Sequence, residues 1–74
     1  MNIKVLGSNQ TEVNTEKYQV LFSYNTPVAY YDVVNGGYYK TSKKWSNTTS
    51  KHISKWLTSV KAEVVDQEVL DNLI

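Results

Sequence analysis

The chain has no cysteine in 74 residues, so neither a disulfide nor a thiolate metal site can hold its fold together. A chain of this length buries only about 60% of the surface that its unfolded form exposes. The fold must therefore rest on side-chain packing or on self-association. We expect one small domain over residues 1–74, in which residues 1–16 are partly loop and residues 63–74 form an acidic tail.

Aromatic and β-branched residues are concentrated between residues 17 and 41, as is typical of β-strands. Apolar side chains alternate along residues 17–24, which predicts a strand with one buried face. Pro27 has a fixed φ and no backbone N–H, so the polar break at residues 25–27 predicts a first hairpin turn.

A second hairpin is predicted at Asn35-Gly36, because this dipeptide readily adopts the two positive φ angles of a tight hairpin turn. With these two residues as the turn, Tyr31 lies opposite Lys40, and Tyr38 lies opposite Val33. Both faces of the hairpin then carry tyrosine. A helix can cover one face, and the other presents aromatic rings to solvent or to a partner.

A helix is predicted over about residues 47–60, with an N-cap at Ser46, Asn47 or Thr48. Its apolar residues recur at spacings of three, four and seven, which places them on one stripe. A short second helix is predicted over residues 66–73, and two turns are marginal unless they pack on something.

Together these elements predict an α+β fold. An antiparallel sheet of three to four strands, with hairpins at 25–27 and 35–36, carries the helix at 47–60 on one face. The predicted core consists of Val20, Phe22, Val28, Tyr30, Ile53, Trp56, Leu57 and Val60.

Charge is segregated along the chain, although the formal net charge is only +1. Residues 33–62 contain six lysines and no acidic residue, whereas residues 63–74 contain four acidic residues and no basic one. The low net charge is therefore a cancellation between two blocks. If the acidic block covers the basic block, the surface is neutral; if it packs elsewhere, a basic surface stays open.

The basic block predicts binding to DNA or RNA, because lysines contact phosphates without regard to sequence. The hydroxyl-rich helix start at residues 46–50 adds backbone N–H groups that favour a phosphate. The chain has no arginine, which argues against direct readout of bases. The predicted nucleic-acid-binding residues are Lys40, Lys43, Lys44, Lys51 and Lys55.

The alternative function is that of a protein-interaction module, such as an inhibitor or adaptor of a host protein. Aromatic residues are enriched at protein interfaces, and an open sheet edge accepts an added strand. The residues predicted for this role are Tyr31, Tyr38, Val69 and Leu73. A homodimer formed through the C-terminal tail is a related expectation.

No catalytic, cofactor-binding or metal-binding residue is predicted, and we do not expect an enzyme. His52 is the only histidine, and Ser50 lies two residues away on the helix, where its side chain points in another direction. Stacking of His52 on Trp56, four residues later, is the expected use of the ring. The longest apolar runs fall far short of the roughly 20 residues that span a membrane, so a soluble cytoplasmic protein is expected.

Two segments carry a resemblance to a known family. The first is Ser-Tyr-Asn-Thr-Pro-Val-Ala at residues 23–29, and the second is Ser-Asn-Thr-Thr-Ser-Lys-His-Ile-Ser-Lys-Trp-Leu at residues 46–57. The chain resembles, over residues 20–57, a family of small uncharacterised proteins encoded by bacteriophages and plasmids. The resemblance implies a viral or mobile-element protein that works in a bacterial cytoplasm, and it implies no activity or site. From the residues themselves, we expect the two segments to form neighbouring corners.

Overall fold

The structure, a computed structural model, describes residues 2–58 and 60–73. Within these residues the chain forms six strands and two helices. In chain order they are β1 (Asn2–Gly7), β2 (Gln10–Asn14), β3 (Tyr18–Ser23), β4 (Thr26–Asp32), β5 (Tyr38–Thr41), α1 (Asn47–Trp56), β6 (Ala62–Val65) and α2 (Gln67–Asp71).

The strands form one sheet whose spatial order follows the chain from β1 to β6. Neighbours from β1 to β5 are antiparallel, and β6 runs parallel to β5. Parallel neighbours cannot be joined by a hairpin, so α1 lies in the crossover between them. The predicted α+β class and mainly antiparallel sheet are confirmed, whereas three to four strands is wrong, since six are present.

Each face of the sheet is covered by one helix. α1 packs against a buried cluster of Leu21, Val28 and Ala29. α2 places Leu70 against Val20 and Tyr30, whose side chains point to the opposite face because successive strand residues alternate. The prediction of a single covered face is therefore wrong, and the core consists of two layers.

Most of the predicted core residues are at least half-buried, but the predicted packing of α1 against Val20 and Tyr30 is wrong, because α1 covers the other face. Val20, Val28, Tyr30 and Leu57 are buried, and Phe22, Ile53 and Trp56 are half-buried against the clusters. The buried residues that the sequence patterns missed are Leu21, Ala29 and Leu70.

Val60 was predicted in the core and is 40% exposed. The cause is that α1 ends at Trp56, four residues before the predicted end. The hydroxyl of Thr58 donates to the carbonyl oxygen of Lys55, which occupies an acceptor at the helix end. The chain can then turn toward β6, which takes Val60 off the helical stripe.

Tyrosines account for much of the α2 face. Tyr30 stacks on Tyr39 with ring centres 4.7 Å apart, and Tyr18 meets Tyr30 edge-on at 5.6 Å. Burial raises the pKa of the Tyr30 hydroxyl, and the neighbouring Tyr39 and Tyr18 raise it further. The Tyr30 ring therefore remains neutral and serves as packing.

Residues 2–14 form a hairpin, whereas residues 1–16 were predicted to be partly loop. β2 lies between β1 and β3, so its backbone hydrogen bonds are satisfied on both sides although its sequence is polar. Asn9, in the turn between β1 and β2, has φ of 60°, a conformation that asparagine tolerates better than most residues. Backbone pairing, which leaves no hydrophobic pattern, explains why this strand was missed.

The first predicted turn is also displaced. Ser23 pairs with Thr26, so the turn residues are Tyr24 and Asn25, and Pro27 already lies within β4. Tyr24 has φ of 58°, and its N–H donates to the carbonyl of Asn9 at 2.7 Å, which ties two turns together. The hairpin exists, but its turn begins one residue before the predicted 25–27.

The second hairpin has a longer loop and a different register. Tyr31 pairs with Tyr38, not with Lys40, because residues 33–37 form the loop. The shift is two residues, so the residues that were predicted to share a face of the hairpin still do. The cause is Asp32, whose carboxylate accepts from the N–H groups of Val34 at 3.0 Å and Asn35 at 2.9 Å.

These hydrogen bonds lower the pKa of Asp32, the backbone N–H of Asn35 being the main cause. A lowered pKa means that the charged form stabilises the folded state, and that this contribution is lost as the pH falls through the folded pKa. We expect Asp32→Asn to be less stable than the wild type above about pH 5, with the difference in stability shrinking as the pH falls below the ordinary carboxyl pKa of about 4. Urea unfolding at several pH values measures this, and a pH-independent difference contradicts it.

Candidate nucleic-acid interface

Three of the predicted lysines lie where the chain leaves β5. The N–H of Lys43 donates to the hydroxyl of Thr41 at 3.1 Å, and the N–H of Ser42 donates to the carbonyl of Val65 at 2.8 Å. These bonds fix the start of the connection to α1. The segment and the helix enclose an open depression of about 220 Å³, lined by Lys40, Thr41, Ser42, Lys43, Lys44, Ser50, Ile53 and Ser54.

The other two predicted lysines border a second depression on the outer side of α1. It is lined by Asn47, Ser50, Lys51, Ser54 and Lys55. Ser50 and Ser54 line both depressions, so the two are neighbours along one side of the helix. The structure thus brings Lys40, Lys43, Lys44, Lys51 and Lys55 to one continuous region, which we call the lysine surface.

The acidic C-terminal segment does not cover the lysine surface. Its first part is the edge strand β6, where Glu63 is paired with Tyr39 and so points to the α2 face. Its second part, α2, packs on that same face through Leu70. Lys40 neighbours Tyr39 in β5 and points the other way, toward α1. The acidic segment, which follows the lysines in the chain, is therefore separated from them in space: Glu63 and α2 lie on the α2 face, and Lys40 points toward the α1 face.

None of the residues that line the two depressions is acidic. Glu12 does lie on the α1 face, but its carboxylate accepts from the indole N–H of Trp56 at 2.8 Å and from the side-chain amide of Asn14 at 3.0 Å. Four of the five lysines are exposed, and Lys40 is half-buried. The lysine surface is thus a positive region that is open to solvent.

The start of α1 is held by its own side chains. Ser46 is the N-cap, one of the three predicted positions, and its hydroxyl accepts from the N–H of Thr49 at 3.1 Å. The Thr49 hydroxyl lies 3.0 Å from that of Ser23, which lies 2.8 Å from Nδ1 of His52. The predicted contact between the two corners of the chain is confirmed.

His52 is used differently from the prediction. It does not stack on Trp56; its Nδ1 binds Ser23, and its ring lies 6.2 Å from that of Tyr24. The Ser46 hydroxyl donates to the Thr49 hydroxyl. If the next hydroxyls donate in the same direction, Thr49 donates to Ser23, and Ser23 donates to Nδ1 of His52. Ser23 is only 2% exposed, so a substrate cannot reach its hydroxyl, and the network's effect is to join β3 to α1.

We expect Ser23→Ala to lower the free energy of unfolding by about 1–3 kcal/mol, because it leaves a buried imidazole nitrogen without its partner. Ser54→Ala is the matched control on the exposed side of α1, with an expected change within about 0.5 kcal/mol. Urea unfolding of both variants measures the difference. Equal stability of the two variants contradicts the assigned network.

The residues predicted for protein interaction are not brought together. Tyr31 and Tyr38 lie on the α1 face with ring centres 4.6 Å apart, and Tyr38 also meets Trp56 edge-on at 6.1 Å. Leu73 packs against the protein's own core on the other face, while Val69 is 42% exposed on α2. These four residues therefore belong to two separate surfaces.

Trp45 lies beside the lysine surface and was not predicted as a site residue. Its ring is 42% exposed, and Nζ of Lys43 lies 4.2 Å from the ring centre. The signal in the sequence was an aromatic residue directly after two lysines.

Within residues 2–58 and 60–73, no three His, Cys, Asp or Glu side chains are grouped so that they could hold a metal ion. None of the helices in these ranges is long and apolar enough to cross a membrane.

Comparison with protein families matches residues 1–72 to a family of unknown function, DUF8033. The chain belongs to this family. The match includes the N-terminal hairpin and the acidic segment, which lie outside the two motifs of residues 23–29 and 46–57. The DUF8033 match therefore spans all six strands and both helices of this chain. No curated protein and no solved structure shows significant similarity to the chain.

Proposed function

We propose that this protein binds nucleic acid, DNA or RNA, through the lysine surface. The observation that carries the proposal is that the acidic block packs on the opposite face of the sheet, which leaves Lys40, Lys43, Lys44, Lys51 and Lys55 without an acidic cover. Without that separation, the net charge of +1 would give little attraction for a polyanion.

The mode of binding follows from the side chains. Lysine is a point charge that contacts phosphates, and the serine hydroxyls between the lysines can donate to phosphate oxygens. Because no arginine is present, the binding is expected to depend little on sequence.

The setting that we propose is a bacteriophage or a plasmid, with the protein acting in the cytoplasm of a bacterial host. This rests on the resemblance of residues 23–29 and 46–57 to small proteins of such elements. A nucleic-acid-binding accessory protein fits this setting, since the element's own DNA and transcripts are present in the same compartment.

Salt dependence tests the proposal. If the five lysines each contact a phosphate, log K against log salt has a slope of about −3.5 for single strands or about −4.5 for duplex. Affinity then falls roughly 100-fold to 500-fold between about 50 and 200 mM salt. Fluorescence anisotropy with labelled oligonucleotides measures this slope. No binding to duplex DNA, single-stranded DNA or RNA at low salt contradicts the proposal.

Binding of a host protein is the second candidate function, and the edge strand β1 favours it. Ile3 and Val5 are 62% and 76% exposed, and the outer edge of β1 is free of sheet neighbours within the described residues. Such an edge can accept an added strand. Capture of one specific host protein by the wild type, lost on Val5→Lys, would support this function. Failure to recover any partner from host lysate counts against it.

A further inference from the structure

Trp45 is the exposed aromatic ring closest in sequence to the lysine surface. It lies between β5 and α1 and keeps 42% of its surface exposed, although Lys43 sits over its ring. A single exposed ring is ordinary on a protein surface, and what distinguishes Trp45 is that Lys43 and Lys44 of the lysine surface directly precede it. The Lys43 ammonium lies 4.2 Å from the ring centre, over one face, so a base that stacks on Trp45 takes the other face or the place of this flexible side chain. In either case a positive charge remains close enough to attract the phosphate of the stacked nucleotide.

The ring is held in one orientation by α2. The indole N–H donates to Oε1 of Gln67 at 3.2 Å. Nε2 of Gln67 in turn donates to the carbonyl of Pro27 at 2.7 Å and to the carboxylate of Asp71 at 3.0 Å. The only polar atom of the indole is thus satisfied within the protein, so the ring offers a ligand its π surface alone. A fixed ring also loses little conformational entropy when a ligand stacks on it.

We infer that Trp45 is a stacking platform for an unpaired base, which makes single-stranded nucleic acid the ligand class of the lysine surface. This inference rests on the proposed function. Bases within a duplex already stack on both sides, whereas a single strand presents free base faces to an aromatic ring. Every base has such a face, so stacking agrees with the absence of arginine and with binding that is tolerant of sequence.

Fluorescence of Trp45 tests the contact directly. Trp56→Phe leaves Trp45 as the only tryptophan, and this variant is titrated with oligo(dT), oligo(U), a duplex of equal length and inorganic polyphosphate. We expect either or both of the single-stranded oligonucleotides to quench the emission, which identifies DNA, RNA or both as the source. Polyphosphate occupies the lysines without bases, so it should bind with far less quenching.

Affinity provides the second readout. Trp45→Leu is expected to weaken binding of the quenching oligonucleotide roughly 5-fold to 150-fold, while the slope of log K against log salt stays unchanged. Trp45→Phe keeps a ring and should recover part of the loss. Circular dichroism and the Tm of each variant establish that it is folded, as expected for a position that is 42% exposed.

The outcomes separate this inference from the proposed function. Two results overturn the stacking role and leave the lysine surface standing. The first is that oligonucleotides bind without quenching the emission. The second is that the wild type binds single strands and duplex equally well and that Trp45→Leu binds them with the same affinity as the wild type. No binding of any oligonucleotide or of polyphosphate overturns both. Quenching by a host protein and by none of the nucleic acids assigns Trp45 to a protein interface and overturns both.

Discussion

Leu70→Ala is expected to lower the free energy of unfolding by about 2–5 kcal/mol. Leu70 is 1% exposed and packs between Val20 and Tyr30 on the α2 face. α2 is only five residues long, so it depends on this contact rather than on its own helical stability. Since small domains have a total stability of only about 5–15 kcal/mol, the variant should lie close to unfolding at 37 °C.

Val69→Ala is the matched control, because Val69 is the preceding residue on the same helix and is 42% exposed. Its expected change is within about 0.5–1 kcal/mol. Chemical unfolding of the two variants, followed by tryptophan fluorescence, gives the comparison. Equal losses, or no loss for Leu70→Ala, would mean that the acidic segment is not docked on the α2 face. The lysine surface could then be covered in solution.

Replacing three lysines of the lysine surface should have the largest effect on binding. In a variant with Lys43, Lys44 and Lys51 all changed to glutamine, we expect the slope of log K against log salt to become shallower by about 1 per lysine removed. Affinity at low salt should fall roughly tenfold or more, uniformly across sequences. All three residues are exposed, so the fold should be unaffected.

The control for net charge changes Lys4, Lys17 and Lys61 to glutamine. These three lysines are exposed and lie outside the lysine surface. Both triple variants lower the formal net charge by three from +1. Anisotropy titrations of the two variants over a range of salt concentrations show how binding depends on the position of the replaced lysines, because the net charge of the two variants is the same. If the control loses as much affinity as the surface variant, binding depends on overall charge and the assigned surface is wrong.

The sequence was sufficient for the elements that bury a regular stripe of side chains. The alternation of residues 17–24 predicted β3, and the spacing of Ile53 and Trp56 predicted α1, with Ser46 as one of three candidate N-caps. The alternation of the tyrosines between the two faces was right, since the register error in the second hairpin was two residues. These features depend on local sequence alone. The face predicted for α1 was wrong, because α1 packs on the side of Tyr38 and not on that of Tyr30.

The missed elements depend on partners that are distant in the chain. β2 is polar and forms because β1 and β3 pair with it on both sides. β6 is four residues long and forms because α1 returns the chain to the edge of β5. The loop at residues 33–37 depends on the carboxylate of Asp32, which competes with the Asn-Gly turn for backbone N–H groups.

The candidate site shows the same division. The five lysines could be predicted because a run without acidic residues is visible in the sequence. Whether they remained open could not, because that depended on which face α2 covers. Trp45 was missed because its role depends on Gln67, which is 22 residues away and holds the indole N–H. The buried link from Ser23 to His52 likewise spans 29 residues.

The central claim is that nucleic acid binds on the lysine surface while the acidic segment stays on the other face. Backbone amide chemical shifts, followed by NMR during a titration with oligo(dT), test it most directly. We predict that the changes cluster in residues 40–55, including Trp45, with a secondary change at Gln67, which binds the Trp45 indole. The rest of residues 63–73 and β1 should change little. Changes centred on α2 or β1, or spread evenly over the protein, would contradict the account.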